Sequence, residues 1–305
     1  MLINKQFMMW AGSPHFARRL KAWMYCGFIL GVPLFLAVGF FCYIMNCASG
    51  EGTVWVQLTK FFQQFSKVGV AFSGGVDSAY LLYAAKQSGC EVRAYIVQSQ
   101  FQPQFEHNDA RRLAEQLQVS LQVVPIDILA QPEVAANGPM RCYYCKKALF
   151  SRLLQVSRED GCQVLLDGTN ATDQIEDRPG MRALQELGIR SPLRECGLGK
   201  KEIRTLSRQA GLFTYNKPSY ACLATRIPQG EPIDEAQLKR VEQGEQALFA
   251  LGFTDFRLRC YHQAARLQLP QEQFSRALAL RQEIVDALQG KFEAVLLDLI
   301  PRSGD

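Results

Sequence analysis

From Phe65 onward the sequence predicts an α/β protein: an open, doubly wound parallel sheet followed by a small C-terminal α+β unit. Three observations carry that expectation. Short apolar runs alternate with helical stretches. A glycine-cornered turn, Ser73-Gly74-Gly75-Val76-Asp77-Ser78, joins the first run to the first helix. After "IPQGEPIDE", near Gly230, the periodicity changes.

The elements follow in order. "KVGVAF" (67–72) is a short apolar run that reads as a buried parallel strand. "AYLLYAAKQSG" is helical and closed by Gly89, "EVRAYIVQS" is a second strand, "EHNDARRLAEQLQ" an amphipathic helix and "SLQVVPID" a third strand. Ile128–Met140, with two prolines and a glycine, reads as loop, "KKALFSRLLQVSRED" as helix and "QVLLDGTN" as a fourth strand. In the last part, Asp234–Leu251 is helical, "DFRLRCY" and "AARLQL" are strands, Glu272–Leu288 is a helix and "FEAVLLDLI" a final strand. No internal repeat or low-complexity segment is visible.

The bulk numbers exclude several classes. A chain of 305 residues suits about two globular units. Hydrophobic residues at 48% with 21% charged argue against disorder. Of the net charge of +5, residues 1–53 supply +3 through Lys5, Arg18, Arg19 and Lys21 against Glu51. The remaining +2 is a weak excess for a nucleic-acid binder, so no nucleic-acid partner is expected. Ten irregularly spaced cysteines fit a reducing compartment better than a secreted disulfide scaffold. Cys90, Cys162 and Cys196 read as ordinary buried thiols.

The turn at Ser73–Ser78 carries chemistry. Two glycines let the backbone turn tightly and approach a ligand. The serine hydroxyls and the free N–H groups of a helix amino end form an anion-binding nest. Asp77 supplies a carboxylate suited to holding Mg²⁺ against phosphates. A Walker loop needs G-x-x-x-x-G-K-[ST], which is absent here. "LDGTNATDQ" adds Asp167, Gly168, Asn170 and Asp173 at the end of another strand. A capped polar turn is the plain alternative.

SGGVDS after a strand resembles the PP-loop ATP pyrophosphatases, which implies an adenine nucleotide alpha hydrolase-like fold and cleavage of ATP between its α and β phosphates. Ser73, Gly74, Gly75, Val76, Asp77 and Ser78 would then grip pyrophosphate. Four longer stretches, "DGTNATDQIEDRPGMRAL", "SPLRECGLGKKEIRTLSR", "KPSYACLATRIP" and "RCYYCKKALF", are together similar to the LarE family of ATP-dependent sulfur transferases. The similarity covers about residues 60–302. It implies that ATP and Mg²⁺ adenylate a carboxylate of pyridinium-3,5-biscarboxylic acid mononucleotide and that sulfur then replaces AMP. A homo-oligomer is expected.

Cys142, Cys145 and Cys222 leave three readings open. A structural zinc site needs four ligands, and no second C-x-x-C or H-x-x-x-H accompanies them. A thioredoxin-like pair needs a different fold. Three thiolates suit a [4Fe-4S] cluster with one iron left for an exogenous ligand. Some members of the family resemble this; others keep only the later cysteine and sacrifice its sulfur. The cluster is favoured here, with Cys222 as the rival sulfur source.

Arg257 and Arg259 lie two apart on a strand, so both face one side. Planar guanidinium groups match phosphate, and the family pattern adds Arg302. Glu245 resembles a family acidic position near the substrate. Arg178 and Arg226 fall in matched motifs without an assigned role. Gln268 replaces the acidic residue that the family often carries. A PP-loop amide ligase, a tRNA thiolation enzyme and a non-catalytic nucleotide- or metal-binding protein are the rival classes.

Residues 1–53 stand apart. Met24–Gly50 has no charge and follows a basic flank, which suits a membrane anchor or a signal-peptide core. Export of the segment beyond it conflicts with an ATP site. Two readings stay open: an anchor through residues 24–50, or a cytoplasmic protein started at Val54. The expected division is an extension (1–53), a PP-loop domain (54–229) and a small domain for substrate binding or oligomerisation (230–305).

Overall fold

The computed structural model describes residues 51–173 and 179–302; the apolar stretch 24–50 and Arg178 lie outside the described residues. Among the described residues no helix is long and apolar enough to cross a membrane. The chain divides into a unit ending at Lys60, represented by residues 51–60 of helix α1 (Glu51–Phe62), and a compact unit from Phe61 onward.

In the second unit, β1 (Lys67–Ala71), β2 (Glu91–Gln98), β3 (Ser120–Pro125) and β4 (Val164–Leu166) form a parallel sheet ordered β3-β2-β1-β4. Val68 and Val70 of β1 are fully buried, as apolar runs in a sheet covered on both faces must be. Helices α2 (Val76–Gln87) and α3 (Gln104–Leu117) are the crossovers between these strands. The chain builds outward from β1 to β3, then returns to lay β4 on the other side of β1. The order therefore reverses between β1 and β4, and the loops leaving those strands open into the crevice where such sheets bind ligands.

The long return from β3 to β4 holds α4 (Pro132–Ala135), inside the segment expected as loop, and α5 (Arg141–Glu159). Helix α5 starts five residues before the expected Lys146, which puts Cys142 and Cys145 in its opening turns. Its cap, Met140, makes no side-chain bond to the helix, so no serine or aspartate signal announced the start. Beyond β4 come α6 (Pro179–Glu186), α7 (Pro192–Glu195) and α8 (Lys200–Gln209).

The last part opens with α9 (Glu235–Ala250), fixed by a capping box in which Asp234 accepts from the Gln237 N–H at 2.7 Å and Gln237 accepts from the Asp234 N–H at 3.1 Å. Strands β5 (Arg257–Tyr261) and β6 (Ala264–Gln268) form an antiparallel hairpin, and β7 (Val295–Leu297) pairs in parallel with β6. The helix expected over 272–288 is broken. A 3-10 turn (Gln271–Gln273) precedes α10 (Phe274–Ala279) and α11 (Arg281–Leu288), with Leu280 at φ −97°, ψ 24° between them. A continuous buried cluster runs from Tyr95 and Leu153 through Leu223 and Ile227 to Leu258 and Leu288. Residues on both sides of Gly230 contribute to it.

Candidate active site

The Ser73–Ser78 loop leaves β1 and turns into α2. Gly74 has φ +72°, and a Cβ there would meet the Glu106 carbonyl at 3.0 Å, so the turn needs glycine twice over. Gly75 caps α2 without a side chain, leaving the first N–H groups of the helix available to an anion. Ser73 and Ser78 hydroxyls lie 3.1 Å apart, and Ser78 donates to the Gly75 carbonyl at 3.2 Å, which holds the cradle in shape before any ligand arrives.

Opposite, the loop after β4 closes directly on α2. A Cβ on Gly168 would lie 2.8 Å from the Ser78 nitrogen. Asp167 is buried and accepts from the Thr169 and Ser191 hydroxyls. The Asn170 N–H donates to Asp173 at 2.9 Å, and Asn170 in turn accepts from the N–H and hydroxyl of Thr172. This internal bonding makes the rim of the crevice rigid.

Two lysines join the loop that the sequence reading did not assign. Lys200 meets Asp77 at 2.6 Å, and Lys217 donates to the Gly74 carbonyl at 3.2 Å and to Asp109 at 2.7 Å. Burial raises the Asp77 carboxyl above its usual range, and Lys200 opposes the rise. Asp77 Oδ1 is buried with no hydrogen-bond partner. A carboxylate with one oxygen unused beside a phosphate cradle fits a Mg²⁺ ligand. One signal for Lys200 was present: "GLGKK" starts α8 with two cations at its positive end, an unfavourable placement unless an anion is near. Lys217 left no such mark.

Behind the loop, Glu106 of α3 lines a small cavity of about 130 Å³ with Ser73, Tyr95 and Leu153. Burial pushes its carboxyl up to about 7, against the attraction of Lys217.

The three cysteines come from two segments. Cys142 and Cys145 open α5; Cys222 precedes the 3-10 turn Leu223–Arg226. Arg141 ties the segments together: Nη1 donates to Asn137 at 2.5 Å and to the Ala224 carbonyl at 3.1 Å, and Nη2 reaches Cys142 Sγ at 3.6 Å. Fully buried Asn137 completes the clamp by donating to the carbonyls of Pro228 at 2.8 Å and Glu231 at 2.9 Å. Burial, then repulsion from Cys222 and Cys142, pushes the Cys145 thiol up to about 12. Burial also raises Cys222, with Arg141 opposing. The three thiols are thus within electrostatic reach of one another. Among the described residues no three His, Cys, Asp or Glu side chains converge as ligands of one metal ion.

The arginines form the third corner. Arg226 and Glu245 are buried at 1% and 2% exposure and pair at 2.6 Å. Glu245 also accepts from the Tyr220 hydroxyl and from the Leu258 N–H at 3.2 Å, so both its oxygens are engaged. Its partners are the Arg226 guanidinium, the Tyr220 hydroxyl and the Leu258 N–H. Arg257 donates to the carbonyls of Phe256 at 2.8 Å and Ser219 at 2.7 Å, and Arg259 to the Thr225 carbonyl at 2.6 Å. Arg302 holds Asp255 at 3.0 Å. Burial and the repulsion of Arg226 and Arg302 bring Arg257 down to about 10; Arg259 is lowered for the same reasons. Gln268 accepts from Arg259 at 2.6 Å and donates to Asp298 at 2.8 Å, so a neutral amide links the two charges where the family often carries an acid.

A parallel sheet with this loop at its point of reversal defines an α/β nucleotide-binding protein of the PP-loop type. Residues 67–137 match the family model described as queuosine biosynthesis protein QueC. The chain is 32% identical over 245 residues to the pyridinium-3,5-bisthiocarboxylic acid mononucleotide synthase of Lactiplantibacillus plantarum, covering 79% of this chain and 89% of that protein. It is 35% identical over 220 residues to an uncharacterized protein of Synechocystis sp., covering 71% and 81% of the two chains. A probable tRNA sulfurtransferase of Methanobrevibacter smithii is 28% identical over 196 residues, 60% of this chain and 50% of the other. The chain belongs to the LarE family and is an ATP-dependent sulfurtransferase.

Proposed function

We propose that the chain adenylates a carboxylate of pyridinium-3,5-biscarboxylic acid mononucleotide and converts it to a thiocarboxylate, on the way to the nickel-pincer nucleotide cofactor. The observation that carries this reading is the course of residues 217–226. Within ten residues it runs from Lys217 at the Gly74 carbonyl, through Cys222, to Arg226 in the buried pair with Glu245. One short segment thus joins the nucleotide loop, the thiols and the arginines.

A carboxylate resists sulfur nucleophiles because oxide is a poor leaving group. Attack of its oxygen on the α-phosphate of ATP breaks the α–β bond, releases pyrophosphate and leaves an acyl-adenylate. Sulfur then adds to the carbonyl and AMP departs. In this scheme Ser73, Gly74, Gly75, Val76 and Ser78 hold the pyrophosphate, with Lys200 and Lys217 offsetting the charge that grows on it. Asp77 would hold Mg²⁺, and Gly168, Asn170 and Asp173 form the facing rim. Arg257, Arg259 and Arg302 bind the substrate phosphate. Glu245, with both oxygens committed, is a positioning residue through Arg226 and Tyr220.

Cys142, Cys145 and Cys222 would hold a [4Fe-4S] cluster. An all-thiol set on two segments that Arg141 ties together is the chemistry such a cluster takes. Bound there, the cluster would supply the sulfur nucleophile. The chain's own contribution is Arg141, which holds the two cysteine segments in register.

Anaerobic incubation with Mg-ATP and the pyridinium dicarboxylate tests the reading: pyrophosphate release dependent on the acid is expected, with iron and sulfide in the purified protein. No acid-dependent pyrophosphate would end the adenylation scheme. Iron-free protein that loses the Cys222 sulfur in one turnover would replace the cluster with the sacrificial route.

A further inference from the structure

A cleft of about 460 Å³ is lined by Lys217 and Asp109 and by Arg257 and Asp255, a size that suits a small-molecule ligand. Phe105, Tyr220, Phe249 and Phe256 wall it. The Phe105 ring stands edge-on to Tyr220 at 4.9 Å and to Phe249 at 5.7 Å. Each end carries an ion pair. At one, Lys217 meets Asp109 at 2.7 Å, contacts the Gly74 carbonyl and lies 5.3 Å from the centre of the Phe105 ring. At the other, Asp255 meets Arg302 at 3.0 Å and stands 3.9 Å from Arg257. Arg257 is 4% exposed, and at that end two guanidinium groups, Arg257 and Arg302, share the single carboxylate of Asp255. Phe249, at 40% exposure, leaves an apolar ring open to water on the cleft wall.

Lys217, paired with Asp109, and Arg257 with Arg302, sharing Asp255, bracket the aromatic walls. The complement of that arrangement is a flat ring with an anion at each end. We propose that this cleft seats the pyridinium ring of the substrate, with the phosphate at Arg257 and the reacting carboxylate at Lys217. The proposal rests on the function given above and adds a place and an orientation for the ring. Aromatic faces attract a delocalised cation, and Asp109 and Asp255 flank it with opposite charge. Lys217 then steers the acid to the loop where adenylation occurs, because the same ammonium touches that loop. An aliphatic acid gains neither ring stacking nor cation–π attraction from these walls, so they favour an aromatic cation.

Calorimetric titration of the full chain and of Phe249→Ala tests the slot, using the pyridinium dicarboxylate mononucleotide, ribose 5-phosphate and a non-hydrolysable ATP analogue as three separate probes. Phe249→Ala is expected to weaken the pyridinium probe about tenfold. Binding of the other two is expected to stay within about twofold. Equal binding of the pyridinium probe by both proteins overturns the slot and leaves the proposed reaction standing if pyrophosphate is still released. Equal weakening of all three probes also overturns it, because Phe249 then only supports the fold. An unmodified chain that releases no pyrophosphate with the acid loses the function and the slot together.

Discussion

The nucleotide corner and the arginine corner both gather hydrogen-bond donors, by opposite means. The first is local and mostly backbone: six consecutive residues, two of them glycine, between a strand and the helix it feeds. The second is assembled from side chains more than forty residues apart along the chain, from Arg257 to Arg302, around a buried ion pair. A backbone cradle tolerates exchange of the side chains around it. A side-chain cluster depends on each of its charges. The substitutions below set one corner against the other.

The largest effect is expected from Cys222→Ser, which should lower thiocarboxylate formation by at least about a thousandfold while acid-dependent pyrophosphate release continues. Loss of both signals together would show that the corners are not separable steps. Next, Asp77→Asn removes the carboxylate that would hold Mg²⁺; pyrophosphate release should fall about 10²–10³-fold with circular dichroism unchanged. A drop of less than tenfold would move the metal to another ligand. Arg226→Met strands the Glu245 carboxylate inside the protein and should cost about 3–5 kcal/mol in urea unfolding. Restoring part of that loss with Glu245→Gln in the same chain would confirm that the lone charge is the cause.

A smaller effect concerns pH. Glu106 rises from 4.5 to about 7 in the folded protein through burial. Between those values this carboxyl binds more proton in the native state than in the unfolded chain, so its own contribution to stability is fully present below about 4.5 and is lost as pH rises through 7. Glu106→Gln should flatten that slope, a difference of about 1–3 kcal/mol between pH 5 and 7.5 in chemical denaturation. Parallel curves for the two proteins would contradict the burial of that carboxylate. The smallest change expected is for Gln268→Glu, which places an anion beside Arg259 and Asp298. The KM for the pyridinium substrate should rise about two- to fivefold with kcat held, since the new carboxylate competes for a guanidinium. A fall in KM would mean that the acid found at this position in the family aids binding directly.

How much of this was legible in the sequence follows the same divide. The strand, turn and helix around Ser73–Ser78 were readable because apolar period, glycine and helix start are all local signals. The Arg257–Arg259 pairing was readable from the two-residue period of a strand. Lys217 was not, since its place depends on a fold that brings it to Gly74 across more than a hundred residues. Helix α5 starting at Arg141 was missed because Cys142, Tyr143 and Tyr144 are poor helix formers and Met140 gives no cap. Neither glycine nor proline breaks the helix at Leu280, and no local residue marks it. The last strand is short because only Ala265, Arg266 and Leu267 pair with it, which leaves Leu299 and Ile300 exposed beyond its end.

The dry pairing of Arg226 with Glu245 has a consequence for descent. Neither partner can change alone without leaving its mate an orphan in oil, so single-step drift at either position is closed. Lineages built on this corner must inherit the two letters as one character, or exchange both at a stroke together with the phenol that Tyr220 lends them.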